Sequence, residues 1–293
     1  MEKLSLHHPT TTVLNLAKAL NERAFVDLRV NIMKCKVTDV IEILKEEHIE
    51  CHPCTFSPYA IRLTNGRISP KHKLITLGMV EIQNESSQLA GLLLNPKRGS
   101  MVVDFCAGSG GKALLFSMLM RNTGRIYAFD TNQRRLNNLT PRLQRSNLTN
   151  IHPQLISNEN DAEIKQLHDK IDYVFVDAPC SGLGTLRRKP ELKFSLNEGK
   201  LTILCNKQLS ILQAASKLVK TGGILVYATC SILYNENQTI VKQFLEKNLN
   251  FKLMPAQSVF GETAFITSDG YLELLPHITN TDGFFAAKLT RIS

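Results

Sequence analysis

MVVDFCAGSGGKALLFSMLM, residues 101–120, is the stretch on which the fold turns. Met101 to Phe105 is a strand-like apolar run that carries an acid, Asp104, near its end. A glycine-rich turn follows, Cys106-Ala107-Gly108-Ser109-Gly110-Gly111-Lys112, and Ala113 to Met120 then reads as an apolar helix. Glycine lets a ligand approach the backbone closely, and a helix N-terminus offers N–H groups that no carbonyl of the helix can satisfy.

Outward from this stretch the chain keeps alternating. Ile126 to Phe129 reads as a second strand, and Gln133 to Arg145 as a basic helix that Pro141 should kink or split. Ile151 to Ile156 and Tyr173 to Val176 read as two more strands. A long helix near Lys200–Val219, the pair Gly222-Gly223 and a strand Ile224 to Ala228 complete the pattern. Strands alternating with helices predict a mostly parallel sheet covered on both faces, with the ligand beyond the carboxyl ends of the strands. The expected class is therefore α/β and Rossmann-like.

Upstream, Val26 to Asn31 and Tyr59 to Leu63 look like strands. Between them Val40, Ile41 and Leu44 fall at helical spacing within Thr38 to Glu47. That is a small β-α-β unit. A linker with Asn65-Gly66 and Pro70 follows, and Asn95-Pro96 marks a boundary. The expected domains are an α+β module over 1–95 and a larger α/β domain over 96–293.

The glycine turn admits two ligand classes. Gly108-x-Gly110-x-x-Ala113 fits the dinucleotide fingerprint, so a nicotinamide dehydrogenase enters the comparison. Asp104 would repel a pyrophosphate, however, and suits a ligand with a cationic amine, such as the methionine end of S-adenosylmethionine. Asp130 ends the next strand, placed to accept bonds from two ribose hydroxyls. Charge complementarity favours the methyl donor.

With 293 residues, 43% of them hydrophobic, the chain can bury a sizeable core, and it lacks an 18-residue apolar run. The N-terminus resembles neither a signal peptide nor a transit peptide, so a cytoplasmic protein without a membrane span is expected. Seven cysteines, an odd number scattered along the chain, read as reduced thiols. Cys51-His52-Pro53-Cys54 raises zinc or redox chemistry, but no second ligand pair accompanies it, and no metal is assigned. The net charge of +9 is uneven. Residues 96–150 carry Lys97, Arg98, Lys112, Arg121, Arg125, Arg134, Arg135, Arg142 and Arg145 against only Asp104 and Asp130. Arg187-Arg188-Lys189 adds another basic run. Such a field attracts phosphate backbones, or it simply solvates a surface.

Two strand-like runs end near cysteine: Val174-Phe175-Val176-Asp177-Ala178-Pro179-Cys180-Ser181-Gly182, and Leu225 to Cys230-Ser231. Either thiol alone could be a small buried apolar group. Both at strand ends, beside a candidate ligand turn, point to chemistry that needs two.

DFCAGSGGKA, YAFDTN, VFVDAPCSGLGTLRRKPELKF, GGILVYATCSILYNEN and DGFFAAKL, in this order, resemble the RNA cytosine-5 methyltransferases of the Nol/Nop/Sun type. The resemblance is nearest to the bacterial small-subunit rRNA methyltransferase B group and covers about residues 26–32 and 78–290. It implies a class I S-adenosylmethionine-dependent fold, an RNA substrate and 5-methylcytosine as product. It also implies roles. Cys230 is the nucleophile, Cys180 assists product release, and Asp177 contacts the cytosine edge and the methyl donor. Cys106, Ala107, Gly108, Ser109, Gly110, Gly111, Lys112, Asp130 and Asp177 hold the cofactor. Where the family usually has an acid for the adenine amino group, Asn158 stands, with Asp161 a competitor. Ribosomal RNA is the first expected substrate and transfer RNA the second. A non-catalytic RNA-binding or ribosome-assembly factor on the same fold is the rival from another class. Aromatics are sparse, so electrostatics and the N-terminal module should carry RNA contact.

Overall fold

The computed structural model describes residues 2–65 and 67–293, so Gly66 of the expected linker lies outside the described residues. The chain gathers into two compact units. One is Phe25–Ile156; the other joins the segment up to Ala24 with Ser157–Ser293. The boundary read at residues 95/96 falls inside the first unit.

The first unit opens with four strands, β1 (Val26–Val30), β2 (Cys51–Pro53), β3 (Ala60–Leu63) and β4 (Val80–Ile82), in the order β2-β3-β1-β4. Every pairing is antiparallel. The helix Val37–Glu46 buries Val40 and Leu44, one turn apart, against Leu28, Val30, Ile61 and Leu63. The module is thus larger than the expected β-α-β unit, because β2 and β4, at three residues each, are too short to leave an alternating signal. Asp27 of β1 stands opposite Arg62 of β3 in register, and the buried pair bonds at 2.8 Å.

Beyond it run β5 (Met101–Asp104), β6 (Arg125–Asp130) and β7 (Ile151–Leu155), with β6 parallel to both β5 and β7. The glycine turn leads from β5 into the helix Gly111–Leu119. The expected basic helix is split, Gln133–Asn137 and Thr140–Ser146, with Pro141 in the first turn of the second piece, where its missing N–H costs nothing.

In the second unit β8 (Ile171–Asp177) lies parallel to β9 (Val219–Thr229), with Asp177 opposite Ala228. The helix Glu198–Ser216 packs on them. After β10 (Phe251–Met254) and β11 (Leu272–Leu274), the chain returns as β12 (Phe284–Arg291), antiparallel to β9, β10 and β11. Phe284 to Leu289 are all buried, as a strand with neighbours on both sides and cover on both faces requires. Among the described residues no helix is long and apolar enough to cross a membrane.

Candidate active site

The glycine turn and Asp130 form one cluster of candidate residues, in the first unit. Ala107 N–H donates to Phe129 O at 2.8 Å, tying the turn to the end of β6. Gly108 N–H donates to Asp130 Oδ2, and Asn132 N–H to Asp130 Oδ1, each at 2.8 Å. The carboxylate is buried and fixed, yet a carboxylate offers about four acceptor positions, so capacity remains for ribose hydroxyls. Gly108 and Gly110 take φ of 57° and 78°, the left-handed region that favours glycine. A methyl group on Gly108 would project into open space, the cradle that a ligand against the backbone needs. Asp104 and Lys112 are buried in the same segment. Neutral glycine backbone, helix N-terminal N–H groups and a ribose-ready carboxylate fit S-adenosylmethionine.

This turn is braced from beneath. Arg29 of β1 donates to Gly111 O at 2.6 Å, and Arg142 donates to Ser109 O at 2.6 Å. Glu81 of β4, opposite Arg29 in register, accepts from Arg142 at 2.7 Å and from Arg145 at 2.8 Å. Burial works against the charge on Arg29, and Glu81 offsets that. Two of the nine basic residues of the 96–150 segment are therefore spent on structure. Lys97, Arg98, Arg121, Arg125, Arg134 and Arg135 are exposed.

A second cluster of candidate residues lies in the other unit. Asp177 ends β8, and Cys180 and Cys230 follow β8 and β9 by three residues and one. Their sulfurs are 3.4 Å apart. The hydrogen bond with Cys230, then burial, then the nearby charges push the Cys180 thiol well up, so it stays protonated at neutral pH. The backbone ties the two loops together: Gly184 N–H donates to Cys230 O at 2.9 Å, and Gly283 N–H to Gly184 O at 2.8 Å. A Cβ on Gly184 would stand 2.2 Å from Gly283 O. A Cβ on Gly283, the glycine of the DGFF stretch, would in turn stand 2.7 Å from Gly184 Cα, so both positions need glycine.

Arg187-Arg188-Lys189 behaves differently from its expectation as a phosphate contact. Arg187 is buried, ion-paired with Asp282 at 3.8 Å and donating to Thr281 O, and Arg188 also bonds Asp282. Only Lys189 and the partly spent Arg188 are exposed. Their partner, nearly a hundred residues downstream, could not be read from local sequence. Asn158 is exposed, and its amide oxygen accepts Asn160 N–H at 2.8 Å; Asp161 caps the helix Ala162–Lys165. Among the described residues no cluster of three or more His, Cys, Asp or Glu is arranged to hold a metal ion, and Cys54 is instead a thiol pushed up by burial, Asp27 and Glu85.

Sequence reasoning missed Glu236. It is completely buried and accepts from Ser181 N–H, Ser181 Oγ, Ser231 Oγ and Gln208 Nε2. The apolar Ile232-Leu233-Tyr234 shortly before this acid was the available signal.

A glycine turn and ribose-ready acid on parallel strands define the class I methyltransferase fold, for which S-adenosylmethionine is the cofactor. The chain belongs to the 16S rRNA methyltransferase RsmB/F family, which it matches over residues 91–290, and residues 1–68 match the RsmF/B-like ferredoxin-like domain. It is 34% identical over 266 residues to a probable ribosomal RNA small subunit methyltransferase B of Bacillus subtilis, covering 90% of this chain and 59% of that protein. It is 29% identical to a mouse 28S rRNA (cytosine-C(5))-methyltransferase, covering 100% of this chain and 38% of that one. NSun6 of Pyrococcus horikoshii, solved with SFG, superposes with a TM-score of 0.85 at 20% identity, over 97% and 95% of the two chains. The chain spans about three fifths of the length of its bacterial relatives.

Proposed function

We propose that this protein methylates carbon 5 of a cytosine in RNA, ribosomal RNA first, through a transient covalent bond between Cys230 and the base. The observation that carries this is the pair of thiols 3.4 Å apart at the ends of two adjacent parallel strands. Carbon 5 of cytosine is too weak a nucleophile to take a methyl group unaided. Attack of the Cys230 thiolate on carbon 6 pushes electrons towards carbon 5 and makes it enamine-like. S-adenosylmethionine, when bound, supplies the electrophilic methyl group. A base then removes the proton on carbon 5; that electron pair re-forms the ring double bond, and the carbon 6–sulfur bond breaks towards sulfur. Cys180, beside that sulfur, assists release.

Asp177 is assigned to the cytosine amino edge and the methyl donor. Cys106 to Lys112 and Asp130 are assigned to the cofactor, with Asn158 at the adenine end. The mouse relative's name supports the product, and the S-adenosylmethionine analogue bound to NSun6 supports the cofactor. Residues 1–95 serve as the RNA-contacting module and 96–293 as the catalytic domain. Seven free cysteines suit a reducing compartment, and the cytoplasm is the proposed one.

Transfer of labelled methyl groups to RNA tests the roles. Cys230→Ala should abolish both transfer and covalent adduct. Cys180→Ala should instead accumulate a protein–RNA adduct that survives a denaturing gel. Exchanged phenotypes would reverse the two assignments. RNA binding without any transfer by the unaltered protein would leave a non-catalytic RNA-binding factor. Bisulfite sequencing of ribosomal and transfer RNA from a deletion strain identifies the substrate as the RNA that loses a site.

A further inference from the structure

One buried carboxylate has no part in that scheme. Glu236 Oε1 accepts from Ser181 N–H at 2.8 Å and from Gln208 Nε2 at 3.0 Å. Its Oε2 accepts from the hydroxyls of Ser181 and Ser231, each at 2.5 Å. These serines are the residues directly after the two thiols, and their hydroxyls lie 3.2 Å apart. We propose that Glu236 is a positioning residue that sets the spacing of Cys180 and Cys230 by gripping the serine that follows each.

The surroundings favour this over a packing role. A carboxylate in an apolar interior persists only where hydrogen bonds saturate it, and an aliphatic side chain would fill the same space more cheaply. Here four donors converge on it, and three of them belong to the residues following the thiols. The grip extends to the residues before them. Gln208 Nε2 also donates to Pro179 O at 3.0 Å, so one amide links Glu236 to the peptide entering Cys180. Asn237, the next residue, donates to Ser231 O at 3.0 Å and accepts from Thr229 Oγ1 at 2.5 Å, which brackets Cys230. Each cysteine is thus fixed through both neighbours, and its sulfur keeps only side-chain rotation. A nucleophile and a releasing group that must act in turn on one ring atom need that constraint.

The proposal rests on the two-thiol mechanism, but its test has a readout independent of it. Phenylarsine oxide bridges two adjacent thiols with loss of one water and needs neither RNA nor cofactor. The uptake lost on Cys230→Ala reports the pair. Glu236→Ala should weaken that uptake about tenfold and lower kcat about 100-fold, leaving KM for RNA and for S-adenosylmethionine unchanged. Glu236→Gln should rescue both. Its amide oxygen serves Ser181 N–H and Gln208, while its NH2 donates to the two hydroxyls, which turn to accept. Should Glu236→Ala not fold, the Ser181→Ala/Ser231→Ala double variant removes both hydroxyl contacts and should show the same loss of uptake and kcat. Wild-type uptake and kcat in the folded Ala variant, or in the double-serine variant, would overturn the proposal. So would a Gln variant as impaired as the Ala variant, since charge rather than spacing would then be at work. If neither Cys180→Ala nor Cys230→Ala traps RNA and the unaltered protein transfers no methyl group, the two-thiol methyl-transfer reading fails while the arsenical still measures the spacing.

Discussion

Gly108 is the residue where a single methyl group would separate the proposed cofactor contact from folding. Its φ of 57° costs an alanine about 1 kcal/mol, a small part of the stability of a domain this size. Since a Cβ there meets nothing of the protein within 4 Å, the remaining effect falls on whatever occupies that space. Gly108→Ala should therefore unfold cooperatively with a slightly lowered Tm, yet bind S-adenosylhomocysteine at least about tenfold more weakly by titration calorimetry. Unchanged affinity would remove Gly108 from the cofactor site. This residue was legible in sequence because a glycine turn after a strand admits few uses. Cys180 and Cys230 were legible for the same kind of reason, each following a strand-like run. Glu236 was not: its meaning lies in Ser181 and Gln208, which are 55 and 28 residues away. Arg187 misled in the opposite sense, since a run of three cations looks solvated until Asp282 is brought against it.

At the scale of elements, the N-terminal strands do more than present a surface. Glu81 on β4 neutralises Arg142 and Arg145 of the split basic helix, and Arg142 and Arg29 hold the carbonyls of Ser109 and Gly111. Removing the negative charge leaves three guanidinium groups crowded under one loop. Glu81→Gln should lose about 3 kcal/mol in urea unfolding, because breaking a buried pair strands the partner charge. Affinity for S-adenosylhomocysteine should fall alongside, as the turn loses its brace. A variant destabilised to that extent but with unaltered ligand affinity would reduce the network to ordinary structural pairing. Sequence periodicity found the strands β1, β3, β5, β6, β7, β8 and the end of β9, and the split at Pro141. It missed β2, β4 and β11, at three residues each, and β10, at four, because so few residues give no period, and the helix Thr10–Leu20 although Val13, Leu16 and Leu20 lie on one face. β12 entered only through its motif. A strand buried on both faces has no alternation to detect.

For the whole molecule, the +9 charge becomes a statement about RNA only after the structural cations are set aside. In the 96–150 segment Arg142 and Arg145 are turned onto Glu81, and Lys112 is buried. Six cations of that segment remain exposed. If all six met phosphates of single-stranded RNA, they would contribute roughly 4 to the slope of log K against log salt concentration. Replacing Arg134 and Arg135 together by glutamine should therefore weaken RNA binding uniformly across sequences and make the slope shallower by about 1.4. Replacing Arg145 by glutamine should leave the slope unaltered, since that side chain already has its anion in Glu81. Filter binding over a range of potassium chloride concentrations distinguishes the two. A slope that responds equally to both replacements would mean that exposure does not select the phosphate contacts. A slope that responds to neither would move RNA recognition away from this segment.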